Sequence, residues 1–161
     1  MEQAVFYDLA RRYKDMIFRI ALNYFGSPFD AEDMVQETLM KLYTASPEFE
    51  SERHAKHWLI RVTLNLCKNT VRSPWRRRTV SLDEAADVVT FDRPEQSELF
   101  QSVMGLPEKY RTALYLFYYE DLSVREIARL LNVKESAVTT RLSRARQMLK
   151  SQLLKEAADY G

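Results

Sequence analysis

Apolar residues recur every three to four positions along most of the chain, and this spacing predicts an all-α protein. In the first half it predicts three helices, over 5–23, 30–43 and 55–71. We expect Val5 on the buried face of the first helix and Asp30 as the N-cap of the second. Only three glycines and five prolines interrupt the 161 residues, and the prolines fall at predicted helix boundaries.

The second half of the chain predicts four more helices, over 95–104, 108–119, 124–131 and 135–154. Between the two halves the apolar period is lost, and three consecutive arginines are followed by four acidic residues. Such a segment is typical of a linker. The sequence therefore predicts two small helical domains, over 1–73 and 95–161, joined by a flexible linker over 74–94.

Composition narrows the class of protein. The single cysteine, Cys67, excludes an internal disulfide and fits a reducing, cytoplasmic location. No stretch approaches the ~20 apolar residues that a membrane-spanning helix needs, so we expect no membrane insertion. His54 and His57 lack a third ligand, and there is no Gly-rich phosphate loop or nucleophile–base pair. We therefore expect no metal, no cofactor and no enzymatic activity.

A helix-turn-helix is predicted near the C-terminus. Ser123 and Glu126 form the Ser-x-x-Glu pattern of a capping box, and Asn132 suits the left-handed conformation that ends a helix. The small Ala128 allows a second helix to approach closely. The exposed face of that second helix carries arginines and short hydroxyls, which suit the major groove of DNA. The candidate DNA contacts are Lys134, Ser136, Thr139, Thr140, Arg141, Ser143, Arg144 and Arg146.

The charge of this segment supports the same interpretation. Residues 122–150 hold seven basic side chains against two acidic ones, although the whole chain has a net charge of only +1. A basic surface on a balanced protein implies a polyanionic partner. The alternative is an ordinary helical hairpin with a solvated basic face.

A second basic segment lies in the first half, where no acidic residue occurs from Arg53 to Arg78. Phe49 and Trp58 add aromatic surface beside it. Cations next to aromatic rings are typical of proteins that hold single-stranded nucleic acid. Trp58 could instead belong to the core, and Arg61 could be an ion-pair partner within the fold. The candidate contacts on this helix are Arg53, Lys56, Arg61, Asn65, Lys68, Asn69 and Arg72.

The helix predicted over 30–43 is acidic, in contrast to the basic segment that follows it. Asp33 and Glu37 are four residues apart and share one helix face with Gln36 and Met40. The helix dipole accounts for the acids of the first turn but not for Glu37. An acidic face with an apolar edge predicts docking to a basic protein surface.

Five stretches of the sequence resemble motifs of one family. They are Asp30 to Tyr43, His57 to Val62 with Asn65, Leu106 to Arg111, Glu126 to Ala128, and Arg141 to Arg146. In order and separation they resemble bacterial sigma factors of the extracytoplasmic-function group, over nearly the whole chain. The resemblance implies a sigma-2 domain over 1–73 and a sigma-4 domain over 95–161, with no domain between them.

The resemblance also implies a partner for each surface. Core RNA polymerase would bind Asp33, Gln36, Glu37, Met40 and the adjoining Lys41. The −10 element of promoter DNA would contact the loop from Phe49 to His57, including His54, and the basic helix that follows. The recognition helix would read the −35 element, and the polymerase flap would contact Leu114, Tyr115 and Tyr118. An anti-sigma factor is a further expected partner.

We therefore expect a protein that binds core RNA polymerase and directs promoter-specific transcription initiation. The alternatives are a free-standing helix-turn-helix regulator and an interaction protein that uses the fold without DNA. The leading hypothesis requires that the fold does not neutralise Arg61, Lys68 and Arg72. It also requires that Gln36 and Glu37 stay out of the interior.

Overall fold

The computed structural model describes residues 1–72 and 98–160, which fall into two compact units, one on each side of the gap. All the secondary structure of these residues is helical, so the predicted all-α class is confirmed. The linker predicted over 74–94 lies outside the described residues, as does the start of the helix predicted from 95. The exact domain boundaries stay predictions.

Within residues 1–72, unit 1 is a bundle of three helices that pack against one another. They are α1 (Gln3–Phe25), α2 (Pro28–Ala45) and α3 (Glu52–Arg72). The fully buried side chains at its centre include Ile17, Phe18, Leu22, Met34, Leu42, Leu59 and Ile60. A polar contact lies in the same interior, where the hydroxyls of Thr38 on α2 and Thr63 on α3 are 3.4 Å apart.

Two details of unit 1 differ from the sequence predictions. Ser27, not Asp30, is the N-cap of α2, because the Ser27 hydroxyl accepts from the Asp30 N–H at 3.3 Å and Pro28 opens the helix. Val5 is 47% exposed rather than buried. The neighbouring Phe6 is half-buried, and its ring meets Tyr43 edge-on at a centroid distance of 5.2 Å.

The described part of unit 2, residues 98–160, contains four α-helices and one wider turn. They are α4 (Glu98–Met104), α5 (Glu108–Leu114), a π-helical turn (Tyr115–Tyr119), α6 (Val124–Leu131) and α7 (Glu135–Tyr160). The long α7 packs against α4, α5 and α6. Leu116, Ile127 and Val138 are fully buried between these elements. The helix predicted over 108–119 therefore ends in a π-helical turn, in which the rings of Tyr115 and Tyr119 stack at 5.1 Å.

The predicted helix-turn-helix is formed by α6 and α7. The Ser123 hydroxyl accepts from the Glu126 N–H at 3.1 Å, and the Glu126 carboxylate accepts from the Ser123 N–H at 3.2 Å. Asn132 ends α6 with φ 56°, in the left-handed conformation. The capping box and the turn residue are both confirmed.

Two kinds of feature are absent from the described residues. None of their helices has the length and apolarity needed to cross a lipid bilayer. Within 1–72 and 98–160, no three His, Cys, Asp or Glu side chains gather closely enough to hold a metal ion.

Candidate nucleic-acid and polymerase interfaces

The recognition helix α7 presents a polar face on the side away from the core. It buries Val138, Leu142 and Ala145. At about 100° per residue, positions 136, 140 and 143 lie opposite this buried stripe. All three are exposed hydroxyl residues, Ser136, Thr140 and Ser143, and Thr139 beside them is exposed as well. This face is free to enter a groove.

One flank of α7 forms a basic cavity with the start of α5. The cavity has a volume of about 330 Å³ and is lined by Arg141, Arg144 and Lys134 together with Lys109 and Tyr110. A hydrogen bond from Arg144 to the Tyr110 hydroxyl lowers the pKa of that tyrosine, although burial acts in the opposite direction. The sequence assigned no role in DNA binding to Lys109 or Tyr110, because both lie outside the helix-turn-helix.

The other flank of α7 carries Arg146, which is engaged with the π-helical turn. Its Nε donates to the Tyr118 hydroxyl at 2.6 Å. Its guanidinium lies 5.5 Å from the centre of the Tyr118 ring and 5.8 Å from that of Phe117. The structure thus gives Arg146 an intramolecular partner, and its predicted contact with DNA stays a prediction.

The basic face of α3 is accessible. Arg61, Asn65 and Asn69 recur every four residues and are exposed, and Lys68 is half-buried. Neither Arg61 nor Lys68 forms an ion pair with any residue in the described part of the chain. The fold therefore leaves their charge available to a partner. The Arg72 side chain lies outside the described residues.

An ordered aromatic loop precedes α3. The Phe49 ring packs edge-on against His54 at 5.3 Å and against Trp58 at 5.7 Å. The Glu50 N–H donates to His54 Nδ1 at 3.2 Å, and the His54 N–H donates to the Ser51 hydroxyl at 3.1 Å. Both Phe49 and Trp58 are half-buried, so each has a packed edge and an accessible one.

The remaining residues predicted on this surface follow the same helix. Arg53 is exposed, and Lys56 and His57 are half-buried. Each of the three also interacts with another group of the protein, so their polar groups are not all left to solvent. The start of α3 is also tied to α1, because Arg12 binds both Asp8, at 2.7 Å, and Glu52.

The predicted docking face of α2 is also at the surface. Gln36 and Lys41 are exposed, and Met40 is 69% exposed, whereas Asp33 and Glu37 are half-buried. None of these side chains belongs to the interior. One residue proposed for the polymerase flap is different, because Leu114 is only 7% exposed and belongs to the core of unit 2. The Leu114 prediction is wrong, while Tyr118 is 61% exposed.

Two sequence families together match most of the chain. Sigma-70 region 2 matches residues 9–77, and Sigma-70 region 4 matches residues 97–149. The ECF RNA polymerase sigma factor SigW of Bacillus subtilis is 30% identical over 94% of this chain and 90% of its own length. The chain belongs to the extracytoplasmic-function group of sigma-70 factors. This sigma factor directs transcription initiation, and its match along nearly the whole chain disfavours a free-standing regulator.

Two solved structures resemble this sigma factor. The sigma factor RpoE, in its co-crystal with the anti-sigma factor NepR from Bartonella quintana, gives a TM-score of 0.68 at 22% identity, over 91% of this chain and 96% of its own. CnrH, in complex with the cytosolic domain of CnrY, gives a TM-score of 0.67 at 25% identity, over 94% and 89% of the two chains. The first supports the fold alone.

Proposed function

We propose that the two units of this sigma factor divide promoter recognition between them. Residues 1–73 bind core RNA polymerase and the −10 element, residues 95–161 bind the −35 element, and 74–94 connect them. One observation carries the proposal for unit 1. Its α3 presents accessible cations without a carboxylate after Glu52, while the neighbouring α2 presents Asp33 and Glu37. Opposite charges on different helices suit two different partners.

The docking surface for core RNA polymerase consists of Asp33, Gln36, Glu37, Met40 and Lys41. Met40 supports this role because an apolar side chain that is 69% exposed gains free energy when a partner covers it. The half-buried carboxylates beside it have already lost part of their side-chain freedom, so binding a basic surface costs less entropy.

The −10 surface combines the aromatic loop and the basic face of α3. Phe49 and Trp58 offer ring surface for an unstacked base, with stacking worth about 1–3 kcal/mol per base. Hydrogen bonds hold His54 beside them, so the loop is preorganised rather than ordered on binding. Arg61, Lys68 and the adjacent asparagines follow the strand along α3.

The −35 surface is the exposed face of α7. The hydroxyls of Ser136, Thr139, Thr140 and Ser143 are short enough to let the helix enter the major groove. The arginine and lysine side chains on the side of α7 that borders the cavity then contact base edges and the sugar–phosphate backbone beside the groove. Arg144 is exposed at the border between the groove face and the cavity, so we assign it the base contact.

We further propose that this sigma factor acts in the cytoplasm, is not an enzyme, and has an anti-sigma partner. The solved complexes of RpoE and CnrH support the last point, because the first holds the anti-sigma factor NepR and the second holds the cytosolic domain of CnrY. An anti-sigma protein that covers the face of α2 would compete directly with core polymerase.

Transcription initiation from purified components tests the proposal. Core RNA polymerase with this chain should start transcription at a defined promoter found by mapping start sites after overexpression, and neither component alone should do so. Glu37→Lys should weaken binding to core polymerase. Arg61→Glu should leave polymerase binding intact and impair opening of the promoter.

Matched charge reversals serve as controls. Asp159→Lys, at the exposed end of α7, and Arg11→Glu, at an exposed position of α1, make the same changes of charge away from the proposed surfaces. Neither should alter initiation. Unchanged polymerase binding by Glu37→Lys would refute the docking assignment, and an equal defect in Arg11→Glu would show that only net charge matters.

A further inference from the structure

The cavity between α5 and α7 brings together four cations from two parts of unit 2. Lys134, Arg141 and Arg144 come from the helix-turn-helix, and Lys109 comes from α5. No carboxylate lines the cavity among the residues that the structure describes. Four positive charges on one concave surface repel one another in the free protein, so the arrangement favours an anion that neutralises them.

Tyr110 lies beside two of these cations. The Lys109 ammonium lies over the Tyr110 ring, 5.1 Å from its centre, and Arg144 is close enough to the hydroxyl of the same ring to lower its pKa. Tyr110 is itself buried, so the ring is a fixed platform. Lys109 has no ion-pair partner anywhere in 1–72 or 98–160, and its charge remains available.

The position of the cavity favours a contact with the sugar–phosphate backbone over a contact with a base. Of the groove-facing hydroxyl residues, Ser143 does not line the cavity, whereas Ser136 and Thr140 stand at its rim, so the cavity borders the groove face on the side towards α5. When a helix occupies the major groove, its flanks face the sugar–phosphate backbones that border the groove. The hydroxyls of Ser136 and Thr140 at the rim add donors that phosphate oxygens accept.

We propose that this cavity binds a backbone phosphate of the −35 duplex and that Lys109, outside the helix-turn-helix, is one of its ligands. The inference rests on the proposed function of unit 2. It adds a contact with the DNA backbone to the base contacts of the recognition helix. Lys109 acts there as a point charge and Arg141 contributes planar donors, while Arg144, at the border with the groove face, keeps the base contact. The contact positions the recognition helix on the duplex without distinguishing one base from another.

Salt dependence of DNA binding measures such a contact. We would compare complexes of core RNA polymerase with the full chain or with Lys109→Gln, on a duplex that ends upstream of the −10 element of the mapped promoter. Loss of one phosphate contact should reduce the slope of log affinity against log salt by about 0.9. Between about 50 and 200 mM salt, the unsubstituted protein should therefore lose roughly 3.5-fold more affinity than Lys109→Gln.

Two control variants sharpen the result. Lys109→Arg keeps the charge and should keep the slope. Lys155→Gln makes the same change of charge on the exposed end of α7, about 21 Å along the helix from Arg141, and should also keep it. An unchanged slope in Lys109→Gln, or an equal reduction in Lys155→Gln, would overturn the inference while leaving the proposed function intact. If the unsubstituted complex shows no preference for the promoter duplex, both proposals fail.

The same basic cavity could instead bind a free phosphate ion rather than a DNA backbone phosphate. Titration of inorganic phosphate into the full chain, at constant ionic strength, should show no saturable binding that depends on Lys109. Saturable binding that Lys109→Gln abolishes, together with an unchanged DNA slope, would show a small-anion site and refute the strand contact.

Discussion

Replacing Arg146 by lysine should lower the stability of the sigma-4 unit without changing the salt dependence of DNA binding. Lysine keeps the positive charge but lacks the Nε–H that donates to the Tyr118 hydroxyl at 2.6 Å. It also lacks the planar group that lies over the Tyr118 and Phe117 rings. A phosphate contact, by contrast, would survive the substitution because it needs mainly the charge.

The magnitude follows from the exposure of the pair. Because Arg146 and Tyr118 are both exposed, we assign the hydrogen bond the value of a surface polar pair, about 0.2–1 kcal/mol, and the ring contact about 0.5–1 kcal/mol. Losing most of both should cost about 1 kcal/mol. In a unit of this size, that corresponds to a fall of about 4–8 °C in the unfolding temperature.

Thermal unfolding of the full chain, followed by calorimetry, provides the assay. Tyr118→Phe removes only the hydroxyl, and adding it to Arg146→Lys should cause little further loss, because both substitutions break the same contact. The reasoning is refuted if Arg146→Ala leaves the unfolding temperature unchanged but reduces the salt slope by about 0.9, and Arg146→Lys restores that slope.

Three further predictions concern the cap, the core and one tyrosine. Ser123→Ala removes the acceptor for the Glu126 N–H and should cost about 1 kcal/mol of unfolding free energy in denaturant titrations, with sequence preference on DNA retained. Phe18→Ala leaves a cavity at a fully buried site in unit 1 and should lower the unfolding free energy of that unit by about 3–5 kcal/mol. The unfolding transition of unit 1 should therefore be lost selectively. Two unchanged transitions would contradict the assigned core. Because the fold lowers the pKa of Tyr110 below 10.0, folding should gain stability as pH rises through the lowered pKa, and Tyr110→Phe should abolish that gain in alkaline denaturation curves.

Local sequence signals predicted unit 2 well where one residue determines one backbone conformation. The capping box at Ser123 and the left-handed Asn132 each act within four residues, so no tertiary information is needed. The same type of signal was misassigned at the start of α2. Gly26-Ser27-Pro28 serves both as the end of α1, with Gly26 at φ 74°, and as the cap and first turn of α2.

The features that sequence could not supply depend on contacts between distant residues. Arg146 and Tyr118 are 28 positions apart, and the π-helical turn changes the direction of the tyrosine side chains relative to an ordinary helix. The basic cavity likewise requires that α5 lies beside α7, which periodicity alone does not give. The general placement of the candidate surfaces was predictable, whereas the partner of each arginine was not.

The common interior of α1, α2 and α3 has a mechanical consequence. Thr38 and Thr63 touch inside it, so the helix with the acidic face and the helix with the basic face cannot slide past each other without separating two buried hydroxyls. A protein that binds α2 therefore also fixes the orientation of the basic face of α3. If the proposed surfaces are correct, the distance between the docked polymerase and the bound promoter strand would be fixed by this packing of α2 against α3.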